Sequence, residues 1–213
     1  MADKKVIGKN ILLANVRLAY PYVFEPATDP DTKKKKDEYT CTVLLPPEFD
    51  TTELEATIME VACSYFGITP QEATELFSKP RGSGLGYPIL GPTAKFKPNE
   101  PKDWLPKGHL YILGKQKLQD KQGNPLEVHV VDRAKNKITD RSEIYGGIYA
   151  NVVCFVMAYD SMGNKGVSVR LNVVQKIGDG ERIGGGNAMG LLPSIETPEK
   201  SLMDQLDEVF PAA

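Results

Sequence analysis

Two long runs of β-branched and aromatic residues, 144–160 and 167–177, flank the segment Ser161-Met162-Gly163-Asn164-Lys165-Gly166. Gly and Asn between two such runs form the signature of a β-hairpin. A second turn of the same form, Asp120-Lys121-Gln122-Gly123-Asn124, separates strand-like runs at 109–117 and 126–131. The shared pattern Asp-x-x-Gly-Asn predicts two successive hairpins of one antiparallel sheet. It is local turn chemistry rather than a sequence repeat.

Upstream, 11–24 reads as a strand ending in Tyr20-Pro21-Tyr22-Val23-Phe24. A loop with Pro26, Pro30 and four consecutive lysines follows. Residues 38–45 alternate, with Tyr39, Cys41, Val43 and Leu45 on one face, and Pro46-Pro47 ends the strand. Asp50 with Glu53 three residues on predicts a capped helix start, and Leu54, Ile58, Val61, Ala62 and Tyr65 give that helix an apolar face. Gly67 stops it, and Thr69-Pro70-Gln71-Glu72 opens a shorter helix closed by Pro80. Residues 79–107 are rich in Gly and Pro with little periodicity, the composition of a functional or mobile loop.

Strands, an inserted helical segment and further strands predict a mainly β fold, α+β by content. An OB-fold-like antiparallel β-barrel with a helical insertion at about 50–79 and a long loop at about 80–107 accommodates that order. One domain over 1–190 is expected. Six glycines in 178–190, including Gly184-Gly185-Gly186, read as a flexible linker. Residues 191–213 read as an acidic tail with a short amphipathic stretch.

Charge sharpens that division. Residues 196–213 hold five acids and one base, a net −4, whereas the whole chain carries −2, so the preceding 195 residues carry +2. A mildly basic body with a separate acidic tail suits a binder of polyanions. The three cysteines are widely spaced, lie in apolar or amphipathic runs, and read as buried reduced thiols of a cytoplasmic protein. No run of about 18 apolar residues would span a membrane, and the N-terminus has no apolar core of a secretory signal.

Catalytic signatures are missing from the sequence. Gly82, Gly84 and Gly86 lack dinucleotide-binding spacing, and no P-loop, nucleophile elbow, Cys-x-x-Cys or His-Glu-x-x-His is present. The two histidines, His109 and His129, are far apart. No enzyme, cofactor or metal is expected.

Aromatic residues interleave with bases instead, the combination by which single-strand binders stack on bases and track phosphates. Tyr20, Tyr22 and Phe24 alternate and would share a face if the strand continues through Pro21. Trp104 lies between Lys102 and Lys107, and Tyr145 and Tyr149 flank Gly146-Gly147, where a backbone or base can approach closely. These six aromatics are the candidate stacking residues. Arg17, Lys33, Lys34, Lys35, Lys36, Lys95, Lys97 and Arg170 are the candidate phosphate contacts. Any one strand aromatic is more at home in a core than on a base, Trp104 can serve to pin the long loop, and the Gly-Gly pair can mark a bulge; the co-occurrence carries the reading.

Several segments, in order, resemble a phage single-stranded DNA-binding protein family with an OB-fold, formerly a domain of unknown function. They are Val-Arg-Leu-Ala-Tyr-Pro-Tyr-Val-Phe-Glu-Pro (16–26), Glu-Tyr-Thr-Cys-Thr-Val-Leu-Leu-Pro (38–46) and Ile-Tyr-Gly-Gly-Ile-Tyr-Ala-Asn-Val (144–152). Ala-Tyr-Asp-Ser-Met-Gly-Asn-Lys-Gly-Val (158–167), Leu-Asn-Val-Val-Gln-Lys (171–176) and Gly-Glu-Arg-Ile-Gly-Gly-Gly (180–186) complete the set. The resemblance implies sequence-independent binding of single-stranded DNA during phage replication or recombination. It assigns no contact residues.

The tail is similar in character to the acidic, aromatic-ended tails with which many single-strand binders recruit replication proteins. Asp204, Asp207, Glu208 and Phe210 are its candidate partner-binding residues, although Pro211-Ala212-Ala213 follows the Phe. Two alternatives stay open: a protein–protein or assembly module using the same sheet, and, more remotely, a phosphate-handling enzyme near 178–186.

Overall fold

The computed structural model describes residues 8–183 except Pro30, Arg81 and Met162. The linker glycines 184–190 and the tail residues Asp204, Asp207, Glu208 and Phe210 lie outside the described residues.

In chain order the elements are β1 (Gly8–Tyr22), β2 (Glu38–Leu45), α1 (Thr52–Phe66), α2 (Pro70–Ser78), β3 (Leu85–Gly86), β4 (Ile89–Leu90), β5 (Leu110–Lys117), β6 (His129–Val131), β7 (Tyr149–Ser161) and β8 (Asn164–Gly178). A 3-10 turn, Arg141–Glu143, precedes β7. The sheet runs β3-β8-β7-β1-β2-β5-β4. A short parallel pairing of β5 with β8, Gly114 with Val169 and Lys115 with Arg170, joins the ends of the central five strands. The resulting ring, β1-β2-β5-β8-β7, is the strand arrangement of an OB-fold.

The inner face follows the period-2 alternation of each strand. Cys41, Val43 and Leu45 of β2, Val152, Cys154 and Val156 of β7, and Val169 and Leu171 of β8 are all buried in one core. In β1 the parity changes. Ile11 and Leu13 face the core, Asn15 takes φ 53°, the register slips one residue, and Val16 and Leu18 then face the same core. A β-bulge of this kind bends the strand around a barrel.

Leu54, Ile58, Val61 and Ala62 of α1 pack on the core, and Gly67 ends the helix in the left-handed conformation at φ 67°. The expected capping box at Asp50 does not form. Instead Asp50 Oδ1 accepts from the Thr52 N–H, and the helix begins one turn position later. The Thr69–Glu72 box of α2 forms in both directions. The cysteines are free thiols, two of them buried. Burial pushes the Cys154 thiol up to about 12 and the Cys41 thiol higher still.

One expectation needs correction. The Asp120 turn closes only a short loop, because β6 leaves β5 and pairs in parallel with β8. The ring itself keeps four antiparallel pairings and closes through the short parallel pairing of β5 with β8. The long loop is partly ordered by β3 and β4.

Candidate nucleic-acid interface

Residues opposite one another in register share a face, so the pairings define rows across the outside of the ring. The first row is Tyr149–Arg17–Leu44–Tyr111 and the second Ala19–Thr42–Leu113. A second bulge in β1 follows, where Tyr20 takes φ 48° and the register slips between Ala19 and Tyr22. The third row then runs Tyr22–Thr40–Lys115–Arg170–Phe155–Asn10, from β1 through β2, β5, β8 and β7 back to β1.

The loop before β5 covers part of this face. Leu105, with Trp104, Tyr111 and Ile183 around it, buries Ala19 and Leu44 in a small second apolar cluster. Trp104 stands between Tyr20 and Tyr111, at 5.6 Å and 5.3 Å between ring centroids, nearly perpendicular to the first. The Tyr111 hydroxyl accepts from Asn99 Nδ2 at 2.9 Å. Beside this cover, Tyr20 (37% exposed), Tyr22 (43%), Leu113 (40%) and Tyr149 (38%) remain open to solvent.

Arg17 does not point freely outward. Its Nε donates to Gly147 O at 3.1 Å and its terminal nitrogen to Glu181 O, while its guanidinium lies 5.4 Å from the Tyr149 ring centroid. The chain leaving β8 therefore doubles back over the outer face as a strap. Ile183 N–H donates to Gly146 O at 2.8 Å, and Arg182 lies 4.4 Å over the Tyr145 ring. The Tyr145 hydroxyl donates to Asp179 Oδ1 at 3.1 Å. The Gly146-Gly147 pair does admit a backbone at close range, and that backbone is the protein's own. A Cβ on Gly147, at φ 116°, would stand 2.0 Å from Glu181 O.

The remaining candidates separate. Phe24 lies beyond the end of β1 and packs half-buried against the main core, so the three alternating aromatics do not share one strand face. Lys95 pairs with Glu55 of α1 at 2.9 Å, and Lys97 donates to Leu85 O at 3.0 Å. Both cations are thus held beside the helices and β3. Arg170 lies on the outer face, 4.8 Å over the Phe155 ring. Lys33, Lys34, Lys35 and Lys36 are exposed on the loop that leaves Tyr22 and returns at Glu38. Lys35 pairs with Glu25, whose carboxyl is held below its usual range first by Arg141 and then by Lys35. Lys33, Lys34 and Lys36 make no ion pair among the described residues. Asp29 shapes this loop by accepting from the Thr32 N–H at 2.8 Å and the Asp31 N–H at 3.1 Å.

Tyr111, Leu113, Lys115 and Phe155 belong to the same face and were not singled out from the sequence. One of them was within reach. Counting back from the Gly163-Asn164 turn pairs Ser161 with Asn164 and, without a break, Phe155 with Arg170.

Residues 9–190 match the family model described as Enterobacter phage Enc34, ssDNA-binding protein. Three solved structures are similar in fold. The single-stranded DNA-binding protein of bacteriophage Enc34 in complex with ssDNA aligns at TM-score 0.57 and 19% identity, over 82% of this chain and 89% of that one. A C-terminal truncation of the Enc34 protein aligns at 0.57 and 17%, over 85% and 99%. The single-stranded DNA-binding protein gp2.5 of bacteriophage T7 aligns at 0.53 and 16%, over 81% and 93%. A comparison with curated protein sequences finds no significant match.

Proposed function

The chain belongs to the family of the Enterobacter phage Enc34 single-stranded DNA-binding protein, and on that footing we propose that it binds single-stranded DNA along the outer face of the β1-β2-β5 wall, in phage DNA replication and recombination. The exposed rings of Tyr20, Tyr22 and Tyr149 stack on bases. The Trp104–Tyr111 cover behind them keeps Tyr20 upright. Lys33, Lys34 and Lys36 on the β1–β2 loop, with Lys102 and Lys107 around Trp104, meet phosphates.

The observation that carries this reading is the exposure of three tyrosines on one barrel face beside a cationic loop. Apolar rings open to solvent give up burial energy, and in an OB-fold this wall and the β1–β2 loop form the usual oligonucleotide surface. Arg17 has a different part: it holds the strap and backs the Tyr149 ring. Lys95, Lys97, Phe24 and Tyr145 serve the fold rather than the strand.

No base-specific array of donors and acceptors is formed by these rings, so binding is sequence-tolerant. Duplex DNA, with its bases stacked inside, offers the rings nothing. Fluorescence anisotropy of a labelled oligo-dT, with a duplex of equal length as control, tests this. Preference for the single strand is expected; equal binding of both forms rejects the stacking mechanism. The acidic tail, outside the described residues, would be a recruiting peptide for replication proteins and a competitor for the lysines.

A further inference from the structure

Where β5 meets β8, the wall of the ring opens into a groove of about 500 Å3 that is lined from both its inner and its outer face. The seam there is only two register pairs long, so side chains from both strands reach the groove. Two polar atoms among its lining residues are buried without a hydrogen-bond partner: Oε1 of Gln116 and Nε of Arg170. Gln116 is only 6% exposed. Buried amide and guanidinium atoms are nearly always bonded in native proteins, and an orphan of this kind marks a place where a ligand or water completes the set.

We propose that this groove holds one nucleobase of the bound strand. The inference rests on the single-stranded DNA reading above and extends it by a pocket beyond the tyrosines. Leu126, Met157 and Val169 give the groove apolar walls for the faces of a flat ring. The Gln116 amide and the Arg170 N–H meet its edge. Arg170 is held for that task by the Phe155 ring, 4.8 Å away.

The apolar walls and the orphaned Gln116 amide suit a base, and the charged rim suits the backbone that carries it. The carboxylates of Glu38 and Asp120 also face the groove. Glu38 is paired with Lys115, which cancels that cation. The Asp120 carboxylate stays ionised because Asn124 donates to it from both side chain and backbone. Lys117, Lys121 and Arg170 also line the groove, so its cations suit the phosphates on either side of the base while the apolar walls take the ring itself. A glutamine amide presents either its oxygen or its NH2 group on turning over, and Arg offers donors only. The Watson–Crick edge of every base carries both donors and acceptors, so the groove accepts any of the four. Base discrimination is therefore weak even though the contact is a hydrogen-bonded one.

Photocrosslinking of the full chain with oligo-dT carrying 5-iododeoxyuridine locates bound bases directly. Adducts in peptides bearing Met157 or Gln116 are expected. The variant Gln116→Met keeps the side-chain volume and removes the amide. Its oligo-dT affinity should fall about tenfold, the worth of one well-made hydrogen bond. Its thermal midpoint should hold or rise, because an unbonded buried polar atom has gone. Adducts confined to the Tyr20, Tyr22 and Tyr149 peptides, or unchanged affinity in a folded Gln116→Met protein, overturn the groove while leaving DNA binding intact. Failure of the unaltered chain to bind oligo-dT at all overturns the DNA reading, and the groove with it. If Gln116→Met does not fold, the crosslink map alone decides.

Discussion

The rings of Tyr20 and Trp104 meet at 5.6 Å between centroids, with their planes 85° apart. Tyr20 is the extra residue of a β1 bulge, and Trp104 arrives from the long loop between β4 and β5. The contact makes one surface of two distant segments. It leaves Tyr20 exposed, together with Tyr22 two residues on, while Ala19 beneath them is fully buried.

Removing an exposed ring should therefore separate binding from stability. Tyr22→Ala and Tyr149→Ala are each expected to weaken oligo-dT binding by about 1–3 kcal/mol, with a stability change within about 0.5 kcal/mol for Tyr22→Ala and about 1 kcal/mol for Tyr149→Ala, which also loses the Arg17 contact. Phe24→Ala should show the reverse, a stability loss of about 1–3 kcal/mol with little change in affinity per folded molecule. Titration calorimetry and urea melts on the three proteins check both halves. A binding loss larger for Phe24→Ala than for either tyrosine contradicts the assignment.

The strap over the outer face depends on missing side chains. Gly147→Ala places a Cβ 2.0 Å from Glu181 O at a φ of 116°, where L side chains are strained. The expected result is detachment of 179–183 and a fall of several degrees in thermal midpoint, about 4–8 °C for each kcal/mol in a small domain and roughly half that at this size. Hydrogen exchange at the Ile183 amide, which is bonded to Gly146 O, should quicken at the same time. Gly163→Ala, at φ 78° but with open space around it, should cost only about 1–2 kcal/mol. Equal effects would mean that the clash with the strap is not what matters.

Acid should loosen the loops before the barrel. Asp120 and Asp132 are held below the usual carboxylate range first by the Asn124 and Asn136 side chains, Asp140 by the Ser142 hydroxyl, and Asp179 by Lys176 and then Tyr145. A carboxyl with a lowered folded pKa adds stability above its unfolded value, about 3.9, and loses it as pH falls through the folded value. The denaturation midpoint should therefore be level from about pH 5 to 7 and decline below about pH 4. A midpoint that rises on acidification would contradict the sign.

Truncation before residue 196 removes a net charge of −4. If the tail competes for the lysines, the shortened chain binds oligo-dT more tightly, and most visibly at low salt, where charge is least screened. Identical affinities at about 50 mM salt rule that competition out.

Much of the fold was legible because it rests on periodicity. The β7–β8 hairpin, the alternation of β2, the apolar face of α1 and the capped start of α2 follow directly from residue order. The two bulges in β1 were not legible: Asn15 is of a type that tolerates a positive φ but sits within a strand-like run, and nothing about Tyr20 announces one. Those bulges decide which aromatics face outward, and the assumption of one shared face for Tyr20, Tyr22 and Phe24 failed there. The partners of Arg17, Lys95 and Lys97 were equally hidden. Each is set by a segment far along the chain: the strap, α1 and β3. Local spacing marks a cation as present without showing what already holds it.

The most direct measurement uses Trp104, the sole tryptophan, which is half-buried against Tyr20. Its fluorescence is titrated with oligo-dT, and with duplex DNA of the same length, between about 50 and 200 mM salt. Saturable quenching by oligo-dT, weakening steadily as salt rises and much smaller with duplex, is the result expected of bases lying on the Tyr20–Trp104 face. Tight oligo-dT binding that leaves Trp104 emission unchanged would place the strand elsewhere on the barrel.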